Sequence, residues 1–219
     1  MENRSYMECA MHNIKYQALK NDYILSESQK RKIAGLIYET DPYIYPAMFL
    51  ERTYAETAIP KLIDSNDPMF CKNNLYCAFC DDRIIALILW KRGPLEWDVS
   101  AFRTCLETLD IPISPYLKLT EKAYFEHYRN VSEETISILN VVVDPAFQNC
   151  GIGGELLQHF LHTYENSTEV FELFVLADNL NAIRVYKKNG FRITEKLNGF
   201  SIDNRDLPCF EMQRKEELL

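Results

Sequence analysis

The stretch VVVDPAFQNCGIGGELLQHFL, Val141 to Leu161, decides how the chain is read. A run of valines meets a turn, then three glycines within four positions, then an apolar stripe. The 219 residues hold only seven glycines, so the gathering of Gly151, Gly153 and Gly154 marks a place that needs bare backbone. Continuous valines describe a strand buried on both faces. Ile152, Leu156, Leu157, Phe160, Leu161 and Tyr164 recur at helical spacing. The first turn of a helix carries unpaired N–H groups and the positive end of the dipole. Where Cβ atoms are missing, a phosphate can approach that backbone closely. The stretch therefore reads as an anion site of diphosphate size, with a plain tight strand-to-helix turn as the bland alternative.

Two phosphate loops are excluded. A Walker loop ends in Gly-Lys-Ser/Thr, whereas Gly153 is followed by Gly154 and Glu155. A dinucleotide fingerprint counted from Gly151 needs its third glycine where Leu156 stands. What fits is Gln148-x-x-Gly151-x-Gly153 after a buried strand and before a helix. Further on lies DNLNAIRVYKKNGF, with Asn179, Ala182, Tyr186, Gly190 and Phe191 in the register N-x-x-A-x-x-x-Y-x-x-x-G-F. Together, ordered and spaced in this way, the two motifs resemble those of the GNAT superfamily of acetyl-CoA-dependent N-acetyltransferases. The resemblance covers about residues 135–191.

The resemblance implies an α/β (α+β) fold: a GNAT-like mixed, mostly antiparallel twisted sheet flanked by helices, with two parallel strands splayed at the acyl-CoA site. It implies acetyl transfer from acetyl-CoA to a primary amine, by direct attack in a ternary complex, with no metal. Val141 and Val143 would pair with the pantetheine arm. Gln148, Asn149, Cys150, Gly151, Ile152, Gly153 and Gly154 would hold the pyrophosphate through backbone N–H groups, the cysteine being incidental. Asn179, Ala182 and Tyr186 would flank the cofactor from the other side. A non-catalytic acyl-CoA-binding or regulatory domain, and a transferase for a different acyl donor, remain as alternatives.

The chemistry sets the demands. A lysine-like amine of pKa about 10.4 is neutral in roughly one molecule in 2,500 at pH 7, a handicap of about 4.6 kcal/mol. A base or a desolvating pocket is needed. The leaving thiolate has a pKa of about 8.5, so full proton transfer from an ordinary tyrosine is uphill by about 2 kcal/mol. Tyr186 is the candidate acid or hydrogen-bond donor. Where relatives place a glutamate on the strand before the loop, this chain has Ser137. Glu134 is the first candidate for the base, acting through water. Glu133, the lone acid Glu172 in VFELFV, and His127 are further candidates, each with a solvated surface charge as its bland reading.

For the acceptor, YETDPYIYPAMF stands out. Either Tyr38, Tyr43, Tyr45 and Phe49 line a pocket with Asp41 on an ammonium group, or the rings pack a kinked helix pair against the sheet.

Elsewhere, IKYQAL reads as a first strand, and Ser26 with Gln29 has capping-box spacing before a helix. LERTYAETAIPKLI reads as a helix, either continuous or broken at Pro60. LYCAFC, DDR and IIALILW form a hairpin, and Val99, Phe102, Leu106 and Leu109 share a helical face. PYLKLTEKAYFEHYRN reads as helical. Two strands, FRITEKL and CFEMQRK, follow a helix that Gly190 ends.

One domain, 1–219, is expected, with an extended segment at about 95–131 that walls the acceptor site or makes a dimer contact. Seven scattered cysteines argue against a disulfide scaffold. Cys77 and Cys80, alternating on a strand, point to opposite faces and read as buried thiols rather than metal ligands. A net charge of −8 with no basic patch disfavours nucleic acid and suits a cationic acceptor. No apolar run suggests a membrane span or signal peptide. The expected setting is cytoplasmic, and the expected partners are a small-molecule or peptide amine, with a second copy of the chain as a further option.

Overall fold

The computed structural model describes residues 13–20, 22–65, 67–117, 126–165, 170–202 and 205–215. The first strand is β1 (Ile14–Ala18). Ser26 then opens α1 (Glu27–Thr40) with the reciprocal bonds of a capping box, Ser26 Oγ accepting from Gln29 N and Gln29 Oε1 from Ser26 N. Asp41 stops α1 in an extended conformation before Pro42. A short α2 (Ile44–Phe49) and then α3 (Arg52–Asp64) follow. Pro60 lies inside α3 without breaking it. Proline removes one helical hydrogen bond, and the buried apolar face of α3 (Ala55, Ala58, Ile59, Leu62, Ile63) holds the helix together around that gap.

β2 (Leu75–Cys80) and β3 (Arg83–Arg92) form the expected hairpin, Asp81 taking φ 52° in its two-residue turn. Asp98 caps α4 (Val99–Thr108), which buries Phe102 and Leu106. Half of the helix expected over PYLKLTEKAYFEHYRN, residues 118–125, lies outside the described residues; Glu126–Tyr128 form a single helical turn. Then come β4 (Thr135–Val143), α5 (Ile152–Tyr164), β5 (Val170–Leu176), α6 (Leu180–Lys188), β6 (Arg192–Ile202) and β7 (Arg205–Lys215).

The strands make one seven-stranded sheet in the order β1-β2-β3-β4-β5-β7-β6. Every pairing is antiparallel except β4 with β5. Such a sheet has two faces to cover. On one, α1, α2, α3 and α4 pack over Cys77, Leu87, Leu89 and Leu139. On the other, α5 and α6 cover Cys80, Ile88, Ile136, Ile138 and Leu173. Cys77 and Cys80 thus fall on opposite faces, both buried and neither in a disulfide, and no metal-holding group occurs among the described residues. None of the described helices is long and apolar enough to cross a membrane.

Candidate active site

The site begins with a mismatch between two strands. β4 pairs with β5 only from Thr135 to Ile138, against Val170 to Leu173. β5 stays bonded to β7 as far as Leu176. On its other edge, β4 slips by one residue against β3: Leu89 faces Asn140, but Trp90 faces Ile138. Leu139 is the extra residue of a bulge, and a bulge bends its strand. The bulge also shifts the alternation, so that Val141 and Val143 pack on the face of α5 while Leu139 and Val142 belong to the opposite core. The two strands part beyond it, and a cavity of about 380 Å³ lies in the fork, lined by Leu139, Asn140, Val141, Phe174, Val175 and Leu176 among others.

The glycine turn follows the far end of β4. Asn149 (φ 62°) and Gly151 (φ 85°) are left-handed, which swings the chain from the strand into α5. Gln148 donates from Nε2 to the Val143 carbonyl at 3.0 Å, tying the loop to the strand end. The N–H groups of Gly154 and Glu155 return to the Gly151 carbonyl. Those of Asn149, Cys150, Gly151, Ile152 and Gly153 find no backbone acceptor among the described residues. Successive free N–H groups at a helix opening make an anion concavity. A Cβ on Gly153 would sit 3.3 Å from Val143 Cγ2, whereas one on Gly154 would meet nothing within 4 Å. Ile152 is buried beneath the loop, and Cys150 Sγ lies 3.5 Å from the Gln148 carbonyl.

The other wall comes from α6. Asn179 caps it by accepting from Ala182 N at 3.1 Å. Asn179, Ala182 and Tyr186 stand three and four residues apart, hence on one face, and all three line the cavity. Tyr186 is 9% exposed, and burial pushes its hydroxyl up to about 12.

A parted strand pair and a buried tyrosine stand around one cavity, and a glycine turn rich in free N–H groups follows the same strand; Val143 and residues 148–154 are not among the cavity-lining residues. The family model of the acetyltransferase (GNAT) family matches residues 43–191. The chain belongs to the GNAT acetyltransferase family. Among solved structures, this GNAT protein is similar to an N-acetyltransferase from Staphylococcus aureus, at 15% identity and a TM-score of 0.63, covering 91% of this chain and 99% of that one. It is similar to Arabidopsis thaliana Naa50, solved with the bisubstrate analogue CoA-Ac-MVNAL, at 16% identity, TM-score 0.53, and 93% and 99% coverage. The ribosomal-protein-S18-alanine N-acetyltransferase from Escherichia coli matches at 15% identity, TM-score 0.53, over 94% and 99%. At these identities the likeness is one of fold.

The acceptor candidates in this GNAT chain separate. Asp41 lines the cavity; its Oδ1 accepts from Tyr43 N at 2.7 Å and Ile44 N at 2.8 Å. Burial raises its carboxyl above the usual range, against the pull of those two N–H groups. Tyr43 lines a neighbouring pocket with Asp178 and Pro208. Tyr38 is half-buried and donates to the Leu50 carbonyl at 3.2 Å. Tyr45 and Phe49 belong to the core: Tyr45 donates its hydroxyl to Asn140 Oδ1, and Phe49 packs edge-on to Phe70 and Phe102. The ring-rich segment thus mainly joins helices to the sheet, and its polar member faces the cavity.

Glu134 is exposed, just before β4 at the end away from the fork, and is not among the cavity-lining residues. Three other residues come together. Ser137 and Glu172 are register partners across β4 and β5, and Ser137 Oγ donates to Glu172 Oε1 at 2.7 Å. His127 lines the cavity with its Nε2 3.4 Å from the same carboxylate oxygen. Asn140 and Thr40, also on the cavity, were not singled out from the sequence; the signal was a lone amide inside ILNVVV.

Proposed function

We propose that this GNAT protein transfers the acetyl group of acetyl-CoA to a primary amine by direct attack in a ternary complex. The observation that carries the reading is the cavity at the β4–β5 fork, lined by Asn179, Ala182 and Tyr186 and by Val141 of the strand that leads into the glycine turn. The free N–H groups from Asn149 to Gly153 suit a diphosphate. The unpaired backbone edge around Val141 suits a pantetheine arm added like a strand. Asn179 and Ala182 border the same channel. Tyr186 donates to the sulfur as the C–S bond breaks.

Among the described residues, nothing accepts or donates at Asp41 Oδ2, so a half-buried carboxylate oxygen remains for an ammonium group at the acceptor end. A charge-assisted bond there would orient a cationic acceptor. The family's acyl donor needs no metal in this scheme.

The test is thiol release from acetyl-CoA across polyamines, amino acids, aminoglycosides and peptides with free N-termini or lysines. Amine-dependent release supports the reading and names the acceptor class. Tight acetyl-CoA binding without release by any of them overturns it in favour of an acyl-CoA-binding domain.

A further inference from the structure

The fork has a second chemical group on its acceptor side. His127 comes from the helical turn before β4, and its ring packs edge-on to Phe174, with centroids 4.6 Å apart. Phe174 is the first residue of β5 beyond its last pairing with β4. The imidazole therefore stands at the point where the strands separate. Behind it lies Glu172, whose side chain is 5% exposed, against 40% for His127. A substrate can reach the imidazole and cannot reach the carboxylate.

On the proposed amine-acetylating reading, we infer that His127 is the catalytic base, and that Glu172, held by Ser137, is the positioning residue behind it. The register explains the arrangement. Relatives that carry a carboxylate on the strand before the loop would have it where Ser137 stands; here the carboxylate is directly opposite, on β5. Glu172 accepts from Ser137 Oγ and faces His127 Nε2 with the same oxygen. A carboxylate beside Nε2 favours the proton on that nitrogen, which leaves the Nδ1 lone pair for a substrate. Among the described residues, Nδ1 has no partner. An ammonium acceptor must lose two protons in all. Nδ1 takes one, freeing the amine to attack the thioester carbon. The new C–N bond forms as the C–S bond breaks; Tyr186 assists the sulfur, and the second amine proton ends on the thiol.

The surroundings strengthen the base. Its interaction with Glu172 raises the His127 pKa, burial opposes, and the charges of Glu172 on β5, Glu211 on β7 and Glu195 on β6 add to the rise. Asp41, Tyr186 and the thiol of Cys209 on β7, which burial pushes up, are the other titratable groups lining the same cavity among the described residues. Among the described residues, no lysine or arginine lines it.

The test combines NMR titration with kinetics. The chain has four histidines, and the signal lost in His127→Gln assigns the one in question. In the wild type it should titrate above the ordinary value, and in Glu172→Gln at least about one pH unit lower than in the wild type. The acidic limb of kcat/KM for the best amine should follow the NMR value and move to lower pH in Glu172→Gln. In His127→Gln that limb should vanish, with turnover down about 100-fold or more and acetyl-CoA affinity within a factor of two of wild type. A wild-type pH profile in His127→Gln removes the base while leaving amine acetylation intact. An unmoved histidine titration in Glu172→Gln removes the positioning role, even if that variant has lost activity by misfolding elsewhere. A wild-type protein that binds acetyl-CoA and acetylates no amine removes the parent reading and the base with it.

Discussion

Gly153 and Gly154 are neighbours in the first turn of α5, yet a side chain would meet different surroundings at each. A Cβ at Gly153 presses on Val143, at the strand end that the loop closes, while one at Gly154 points into open space. Gly153→Glu should therefore abolish acetyl-CoA binding in calorimetry, because it sets a carboxylate where the diphosphate belongs; unchanged affinity would overturn the loop assignment. Gly154→Ala should raise the urea midpoint, since alanine in a helix is worth about 0.5–1 kcal/mol over glycine. Tyr186 also reads differently once its burial is known. With its hydroxyl pushed up to about 12, handing a whole proton to a thiolate of pKa about 8.5 is uphill by roughly 5 kcal/mol. On the proposed reading the residue serves as a hydrogen-bond donor that stays protonated throughout the working range. Tyr186→Phe should lower kcat about 100-fold and leave acetyl-CoA affinity unchanged. In the wild type, any alkaline limb below pH 10 should survive this substitution, because a raised phenol keeps its proton until about pH 12.

At the scale of elements, the bulge at Leu139 is the device that makes a site out of a strand. It turns Asn140 toward the helices, where its Nδ2 donates to Thr40 Oγ1 at 2.7 Å and its Oδ1 accepts from Tyr45. Those bonds join β4 to the end of α1 and to α2 beside the cavity. Asn140→Ala should cost about 1–3 kcal/mol in urea unfolding, the usual penalty for removing a buried partner. Combined with Tyr45→Phe it should cost less than the sum of the two single changes, because the pair shares one bond; strict additivity would deny the link. This is also where reading from sequence reached its limit. The valine run and the glycine turn were legible because each follows from local spacing, and Tyr186 stood out through its place in the family motif. Cys77 and Cys80 fell on opposite faces for the same reason, strand alternation. The bulge was not legible, since ILNVVV has the same apolar pattern whether or not it slips by one. Nor was the meeting of Ser137, Glu172 and His127: each stood out alone, but only the parallel register of β4 on β5 brings them together. Pro60 left the continuity of its helix open because a proline's cost is local, while the burial that outweighs it is tertiary.

The molecule as a whole carries a net charge of −8, and two of its aspartates are raised by burial above the ordinary carboxylate range, each against two backbone N–H groups that pull it down. Asp67 sits in the turn after α3, 8% exposed, with Oδ1 accepting from Met69 N at 2.9 Å and Phe70 N at 3.0 Å. Asp41 has the same arrangement at the cavity. An acid whose folded pKa is raised binds its proton more tightly folded than unfolded. Its contribution to stability is therefore most favourable below the ordinary value near 3.8 and declines as pH rises through the folded value. Asparagine keeps the accepting oxygen and removes the charge. Asp67→Asn and Asp41→Asn should both melt higher than wild type at pH 7, and the gain should disappear at about pH 3, where the wild-type carboxyls are protonated. Their effects on turnover should then diverge. Asp67→Asn should leave the amine KM unchanged, whereas Asp41→Asn should raise it, most steeply for acceptors with a second positive charge. A gain in stability at both positions with an unchanged KM at both would mean that Asp41 is only a helix-joining turn, and would move ammonium recognition elsewhere in the fork.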